Sequence, residues 1–241
     1  MHEPMQSFRN RLLQLLSPED FNQMRPHLKP VVLKYRQVLY EPDVPIKDVF
    51  FPTTGVVSLV HTMRDGSAAE VGTIGNEGVV GLPILLGDAH GPTCAFVQVP
   101  GSGLQLGADV FRQQLAGSHS MLAIMLRYAH AVFNQVALSA ACNNFHSIEQ
   151  RCCRWLLMTH DRSGKDEFSL THEFLAMMLG VRRPTVTLVA VGLQHAGLIQ
   201  YRRGAVTIVN RAGLEAASCE CYETVKSAWR RLLPEPGVSA A

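Results

Sequence analysis

The sequence predicts an α+β chain: an N-terminal antiparallel β-roll of jelly-roll type, one long helix suited to dimerisation, and a C-terminal winged helix-turn-helix. Three observations carry this. Between residues 31 and 110, short β-branched and aromatic segments alternate with Pro and Gly. From 118 to 144 the apolar residues change to helical spacing and form two stripes. From 170 to 209, two short helical patterns meet at a glycine and are followed by an Arg-tipped hairpin pattern.

The roll is read from Val31-Val32-Leu33, Val49-Phe50-Phe51, Val56-Val57-Ser58-Leu59-Val60 and Ala95-Phe96-Val97-Gln98-Val99. Strands of this length with regular turn signals suit a small barrel or sandwich. Asp65-Gly66, between 56–63 and 68–73, is a hairpin turn. Upstream, Ser17-Pro18-Glu19-Asp20 gives an N-cap, a first-turn proline and two first-turn acids, the start of a short helix.

In the long helix, Met121, Ile124, Met125, Tyr128, Val132, Val136 and Ser139 form one stripe, and Leu122, Leu126, Ala129, Phe133 and Ala140 a second. A helix apolar on two faces must bury both. One face can lie on the roll and the other on a second copy of the chain, as in a two-stranded coiled coil. The plainer alternative is a single core helix. The expected dimer seam runs through Met121, Met125, Tyr128, Val132, Val136 and Ser139. Ser147-Ile148-Glu149-Gln150 is a capping box that opens the next helix and places a domain boundary near 146. Three units follow: 1–117, the roll with flanking helices; 118–146, the long helix; and 147–241, the winged helix-turn-helix.

In that last unit Thr171 caps a helix with Glu173 in its first turn, where the helix dipole favours an acid. The helix stops at Gly180, which can take the left-handed conformation needed for a sharp turn. A second helix begins at Arg182-Arg183-Pro184, with Val186, Val189 and Leu193 facing inward and Ala176 permitting a close crossing. Leu198-Ile199-Gln200-Tyr201 then pairs with Ala205-Val206-Thr207-Ile208-Val209 around Arg202-Arg203-Gly204. A helix start and a wing tip are where such a module meets a DNA duplex, which explains the placing of these arginines.

Charge agrees with that placing. Residues 1–149 hold ten Lys/Arg against twelve Asp/Glu, whereas residues 150–241 hold twelve against eight, so the positive excess lies in the C-terminal part. No run of 18 apolar residues occurs, and Met1-His2-Glu3-Pro4 lacks a leader layout, so a cytoplasmic protein with no membrane partner is expected. The six cysteines, Cys94, Cys142, Cys152, Cys153, Cys219 and Cys221, read as reduced core or incidental thiols. Cys219-x-Cys221 is too sparse in partners for a metal site, although a redox role stays open. No metal and no cofactor are expected. An enzyme using Cys94 with His61 or His90 is a remote alternative, since nothing in the sequence orients a His towards a Cys.

The stretch from Leu170-Thr171 through Gly180-Val181-Arg182-Arg183-Pro184-Thr185-Val186 to Leu193 and Gly197-Leu198-Ile199 resembles the Crp/Fnr family of bacterial transcription regulators. In the roll, Gly55, Gly66, Ile74-Gly75-Asn76-Glu77-Gly78 and Gly81 look like the turn glycines of that family's cyclic-nucleotide-binding-like domain. The resemblance implies a homodimer on a near-palindromic operator in double-stranded DNA, with RNA polymerase as a partner. By position Arg183 would read a base, Thr185 and Thr187 would contact DNA from the same helix, Thr187 one turn further along reaching a base or phosphate, and Thr171, Arg182, Arg202 and Arg203 would hold phosphates. Pro184 and Leu188 stand where the family often has further readers, so its best-known operator is not implied. Where cyclic-nucleotide binders carry a ribose-holding Glu, a phosphate-holding Arg and an adenine-reading pair, this chain has Leu82, Pro92 and Val136-Ala137. The effector is therefore expected not to be cAMP bound by the usual contacts, and its identity is unknown. A DNA-binding architectural protein with a non-sensing roll is the nearer alternative. Neither an N-terminal cysteine cluster for iron–sulfur nor a convincing haem pair among His61, His90 and Cys94 is present.

Overall fold

Asn10 caps a short helix, α1 (Arg11–Leu15), while its amide donates to the carbonyls of Pro52 and Gly78 at 2.9 and 2.8 Å. The computed structural model describes residues 9 to 234; Met1-His2-Glu3-Pro4 lies outside them. Helix α2 (Pro18–Met24) follows with Ser17 as N-cap, as expected. The chain then enters strands β1 (Lys29–Leu33), β2 (Val38–Tyr40), β3 (Asp48–Pro52), β4 (Val56–Thr62) and β5 (Ala68–Ile74), a short helix α3 (Leu82–Leu85), and strands β6 (Cys94–Val99) and β7 (Gly101–Gly107). These strands make two antiparallel sheets, ordered β1-β7-β3 and β2-β6-β4-β5. Alternate side chains of both sheets, among them Leu33, Val49, Phe51, Val57, Ile74, Val97 and Leu106, fill a common core. At the β4–β5 hairpin Gly66 takes φ of 84°, closing a loop that Asp65 steadies through its hydrogen bond to the Ser67 amide at 2.9 Å. Strand β2 is only three residues long and β7 (Gly101–Gly107) is interrupted by glycines, so neither stands out as a strand on its own.

Helix α4 (Ala108–Gly117) leads into α5 (His119–Phe145), capped by Ser118. Its contacts revise the seam drawn from the sequence. Met121, Met125, Tyr128 and Val132 are all buried inside the one chain, and the Tyr128 hydroxyl donates to the Val79 carbonyl at 2.6 Å. Ser139 is also engaged within the chain: its hydroxyl donates to the Gln135 carbonyl and accepts from Arg154. Only Val136 of the six stays open, at 38% exposure. The second stripe is the more open, with Leu126 50% and Phe133 68% exposed while Leu122 and Ala129 pack partly against the core. Both stripes are apolar enough to be core, so periodicity found the faces but could not say which one the roll would claim.

The C-terminal unit comprises α6 (Ile148–Ser163), β8 (Glu167–Ser169), α7 (His172–Leu179), α8 (Arg183–His195), β9 (Ile199–Arg202), β10 (Ala205–Ile208), α9 (Arg211–Ala217) and α10 (Cys221–Leu232). The boundary near 146 is a chain break in direction rather than a clean division of cores. Val225, Trp229, Leu232 and Leu233 of α10 and its end pack into the core of the roll and α5, with the Trp229 and Tyr128 rings 5.9 Å apart. Conversely, Val56, Val60 and Val99 of the roll belong to the core beneath α6, α7 and α8. Polar ties cross the same junction. Arg162 donates to Glu77 at 2.7 Å and to Gln135 at 3.0 Å, and the Trp155 indole donates to Glu70 at 2.8 Å.

Candidate nucleic-acid interface

The Thr171 hydroxyl accepts from the Phe174 amide at 3.1 Å and so starts α7 as the sequence predicts. At its other end Gly180 takes φ of 63°, the Gly180 amide donates to Met177, and the Val181 amide donates to Ala176 at 3.0 Å. This paired closure satisfies the last carbonyls of α7 and redirects the chain within two residues. Helix α8 leaves at 106° to α7. Val186, Ala190 and Leu193 of α8 are buried, with Val189 partly so, against Ala176 and Leu175 of α7. The geometry is that of a helix-turn-helix.

Strand β10 pairs with β9 on one side and with β8 on the other, giving a three-stranded wing. Ala205 pairs directly with Arg202, so the turn is Arg203-Gly204, and both residues have positive φ, 47° and 80°. That is the mirror-image turn whose twist matches the flanking strands, made here with an arginine in its first position. The Leu170 amide donates to the Gly204 carbonyl at 2.8 Å, which sets the wing tip beside the Thr171 cap.

Arg182, Arg183, Arg202 and Arg203 are all exposed, and none has a hydrogen-bond or ion-pair acceptor for its guanidinium among the described residues. Thr185 is half-buried on the same helix. Thr187 fits the expected contact role less well. Its hydroxyl donates to the Arg183 carbonyl at 3.1 Å and meets His172 Nδ1 at 3.0 Å, so it braces α8 against α7. His172 itself is held below its ordinary basicity, first by burial and then by the Arg183 charge, which keeps the ring neutral for that contact. Sequence reasoning passed over His172 and Val191; Val191, at 45% exposure, joins Leu188, at 75%, on the open face of α8. The available signal was phase: both fall off the inward 186-189-193 stripe.

In the roll, the positions singled out for effector contacts carry no ionic group. Leu82 opens α3 and packs partly into the core, the Pro92 carbonyl meets His61 Nδ1 at 2.8 Å, and Ala137 is exposed on α5. The thiol-enzyme alternative loses its geometry as well. His61 is held by Pro92 and His90 leans on Asp88, while burial, reinforced by Glu41, raises the Cys94 thiol. A thiol so placed is a poor nucleophile. Cys152 and Cys153 are core thiols, and burial pushes Cys153 up to about 12. Cys219 and Cys221, short of partners in sequence, gain two in space: Cys142 and His146.

A two-sheet roll joined by a long helix to a winged helix-turn-helix defines a DNA-binding regulator with a sensor-type domain. Residues 30–118 match the family described as Cyclic nucleotide-binding domain, and residues 150–217 match the Crp-like helix-turn-helix domain. The chain belongs to the Crp/Fnr family of transcriptional regulators, which are DNA-binding proteins and not enzymes. Among solved structures it is similar to FixK2 of Bradyrhizobium japonicum, at 14% identity and a TM-score of 0.68 over 80% of this chain and 98% of that one. It is similar also to a CRP-family transcriptional regulator of Thermus thermophilus, at 20% identity and 0.65 over 79% and 96%. The c-di-GMP responsive global regulator CLP of Xanthomonas campestris shows 15% identity and 0.61 over 80% and 99%. No match was found among curated proteins.

Proposed function

We propose that the chain acts in the cytoplasm as a homodimeric, sequence-specific transcriptional regulator that reads a near-palindromic operator and works with RNA polymerase. The observation that supports this best is the contrast within the winged unit. Its caps, turn and wing are satisfied internally, whereas the four arginines at its two contact points have no guanidinium acceptor among the described residues. Arg183 reads a base edge, Leu188 and Val191 offer apolar contact to thymine methyls, and Thr171, Arg182, Arg202 and Arg203 hold phosphates. Thr185 and Thr187 shape and brace the helix that presents them.

The dimer forms on the open stripe of α5. Leu122, Leu126, Ala129, Phe133, Val136 and Ala140 follow alternating four- and three-residue steps, the spacing that keeps one seam facing a partner helix. Two such chains would set their recognition helices about one turn of DNA apart, ~34 Å. The effector is not cAMP bound by the usual contacts. Between Gly81 and Cys94 there is no Lys or Arg to meet a cyclic phosphate, and an uncompensated phosphate would lose its strongest hydrogen bonds.

Selection of genomic fragments by the purified protein, with light scattering on the same sample, tests the reading. Recovery of an inverted repeat by a dimer is expected. Sequence-independent binding confined to low salt would overturn it in favour of an architectural role. Calorimetry with cAMP should show no binding, and micromolar affinity would refute the effector assignment.

A further inference from the structure

Cys142 and His146 lie one turn apart at the C-terminal end of α5, with the His146 amide bonded to the Cys142 carbonyl at 3.1 Å. Cys219 and Cys221 flank Glu220 at the start of α10. The fold closes these two pairs on each other. Cys142 Sγ is 3.5 Å from Cys219 Sγ, Cys221 Sγ is 3.6 Å from His146 Nδ1, and all four donor atoms lie within 4.8 Å of one another. In a tetrahedral zinc site the ligand bond lengths require edges of ~3.8 Å between sulfurs and ~3.6 Å between sulfur and nitrogen. We infer that Cys142, His146, Cys219 and Cys221 form a closed mononuclear zinc site that staples α10 to the end of α5.

Three further observations fit a metal rather than a chance gathering of thiols. First, the imidazole is oriented as metal-bound histidines are. Nδ1 faces the sulfurs, and Nε2 meets the Glu220 carboxylate at 3.1 Å, the outer contact that fixes the tautomer and raises ligand basicity. A disulfide would need neither group. Second, the charge balances. Binding Zn²⁺ sends the three thiol protons to solvent and leaves a site of net charge −1, with His146 neutral. Arg151 and Arg154 both act on this cluster electrostatically, and Nε of each is buried with no hydrogen-bond partner among the described residues. Third, the donors are enclosed: Cys142, Cys219 and Cys221 are 0%, 3% and 3% exposed, and the His146 side chain 16%. Four filled positions and little solvent mark a structural ion, not a catalytic one with an open position. The spacing is too tight for a multi-iron cluster, whose ligands sit on separate irons, and three sulfurs with one nitrogen in a tetrahedron select zinc among common divalent ions.

The location gives the ion a structural consequence. Arg151, beside the cluster, donates through its guanidinium to the Leu179 carbonyl in the last turn of α7. The site therefore ties the long helix, the C-terminal helix and the helix-turn-helix at one point. Because its ligands are thiolates, an oxidant of the peroxide class that took two of them to a disulfide, itself reduced to water, would release the ion and loosen that point.

The test uses the full chain purified under reducing conditions. Elemental analysis should find one zinc per chain. Cobalt(II) in its place should give the intense visible bands of tetrahedral cobalt and a thiolate-to-cobalt charge-transfer band. The exposed Glu220→Gln leaves the fold alone and should weaken metal affinity ~10–100-fold. Cys219→Ser should lose the charge-transfer intensity of one thiolate, and Cys94→Ser should match wild type. Folded, reduced wild type that takes up no zinc at micromolar concentration would overturn the assignment, as would an octahedral cobalt spectrum or one that Cys219→Ser leaves unchanged. None of these readouts involves DNA, so their outcome is separate from that of the regulator reading.

Discussion

At the residue scale the two kinds of arginine should separate cleanly. Arg183→Ala is expected to remove ~1–3 kcal/mol of discrimination at one base pair per half-site, read as relaxed preference in a competition assay. Arg203→Asn keeps a residue that tolerates the positive φ of the wing turn but loses its charge. It should lower affinity on every sequence alike and reduce the salt slope by about one phosphate contact. If both variants lose affinity equally on all sequences, the division into reader and anchor is wrong. Glu70 offers a pH signature at the junction. One carboxylate oxygen accepts from Trp155, the other is buried with no hydrogen-bond partner among the described residues, and desolvation, opposed by Ser58, Trp155, Arg162 and Arg154, pushes the group from 4.5 to about 7. The folded chain thus holds a proton that the unfolded chain releases. Its contribution to stability is full below the ordinary value and declines as pH rises towards about 7. Glu70→Gln keeps the Trp155 bond without the charge, so its melting temperature should exceed wild type at alkaline pH, with the gap closing in acid. A constant gap would reject the assignment.

At the scale of elements, α5 carries the sharpest contrast. Phe133→Glu, on the open stripe, should convert dimer to monomer in light scattering while leaving helical circular dichroism intact. Met125→Ala, on the buried stripe, should instead lower stability by about 2–5 kcal/mol through the cavity it leaves. Should Phe133→Glu remain dimeric, the seam lies elsewhere. The Glu77–Arg162 pair, with side chains 12% and 8% exposed, links the loop after β5 to α6. Arg162→Met strands a buried carboxylate and should cost about 3–5 kcal/mol, a melting shift on the order of 10 °C. Changing Glu77→Gln as well should recover part of that loss, because the uncompensated charge is gone.

Across the whole molecule, local chemistry carried a long way. Ser17, Ser147 and Thr171 all cap the helices expected of them, and Gly180 and Gly204 turn where turns were expected, since each depends only on groups a few residues away. The four arginines were legible for the same reason: a helix start and a hairpin tip are local features. The choice of face on α5 was not, because two apolar stripes compete for the roll and only the packed roll decides. The path of α10 back into the roll's core was likewise hidden, since Val225 and Trp229 say that a face is buried but not against what. Cys142 and Cys219, 77 residues apart, meet only because that return brings α10 to the end of α5. Sequence alone therefore determined most of the elements, several of their caps and the placing of arginines at the helix start and wing tip, which short-range hydrogen bonding and periodicity specify. Tertiary structure alone decided which helix face stays open, how the two cores share their residues, and which thiols become neighbours, because those outcomes turn on contacts between segments that no local pattern encodes.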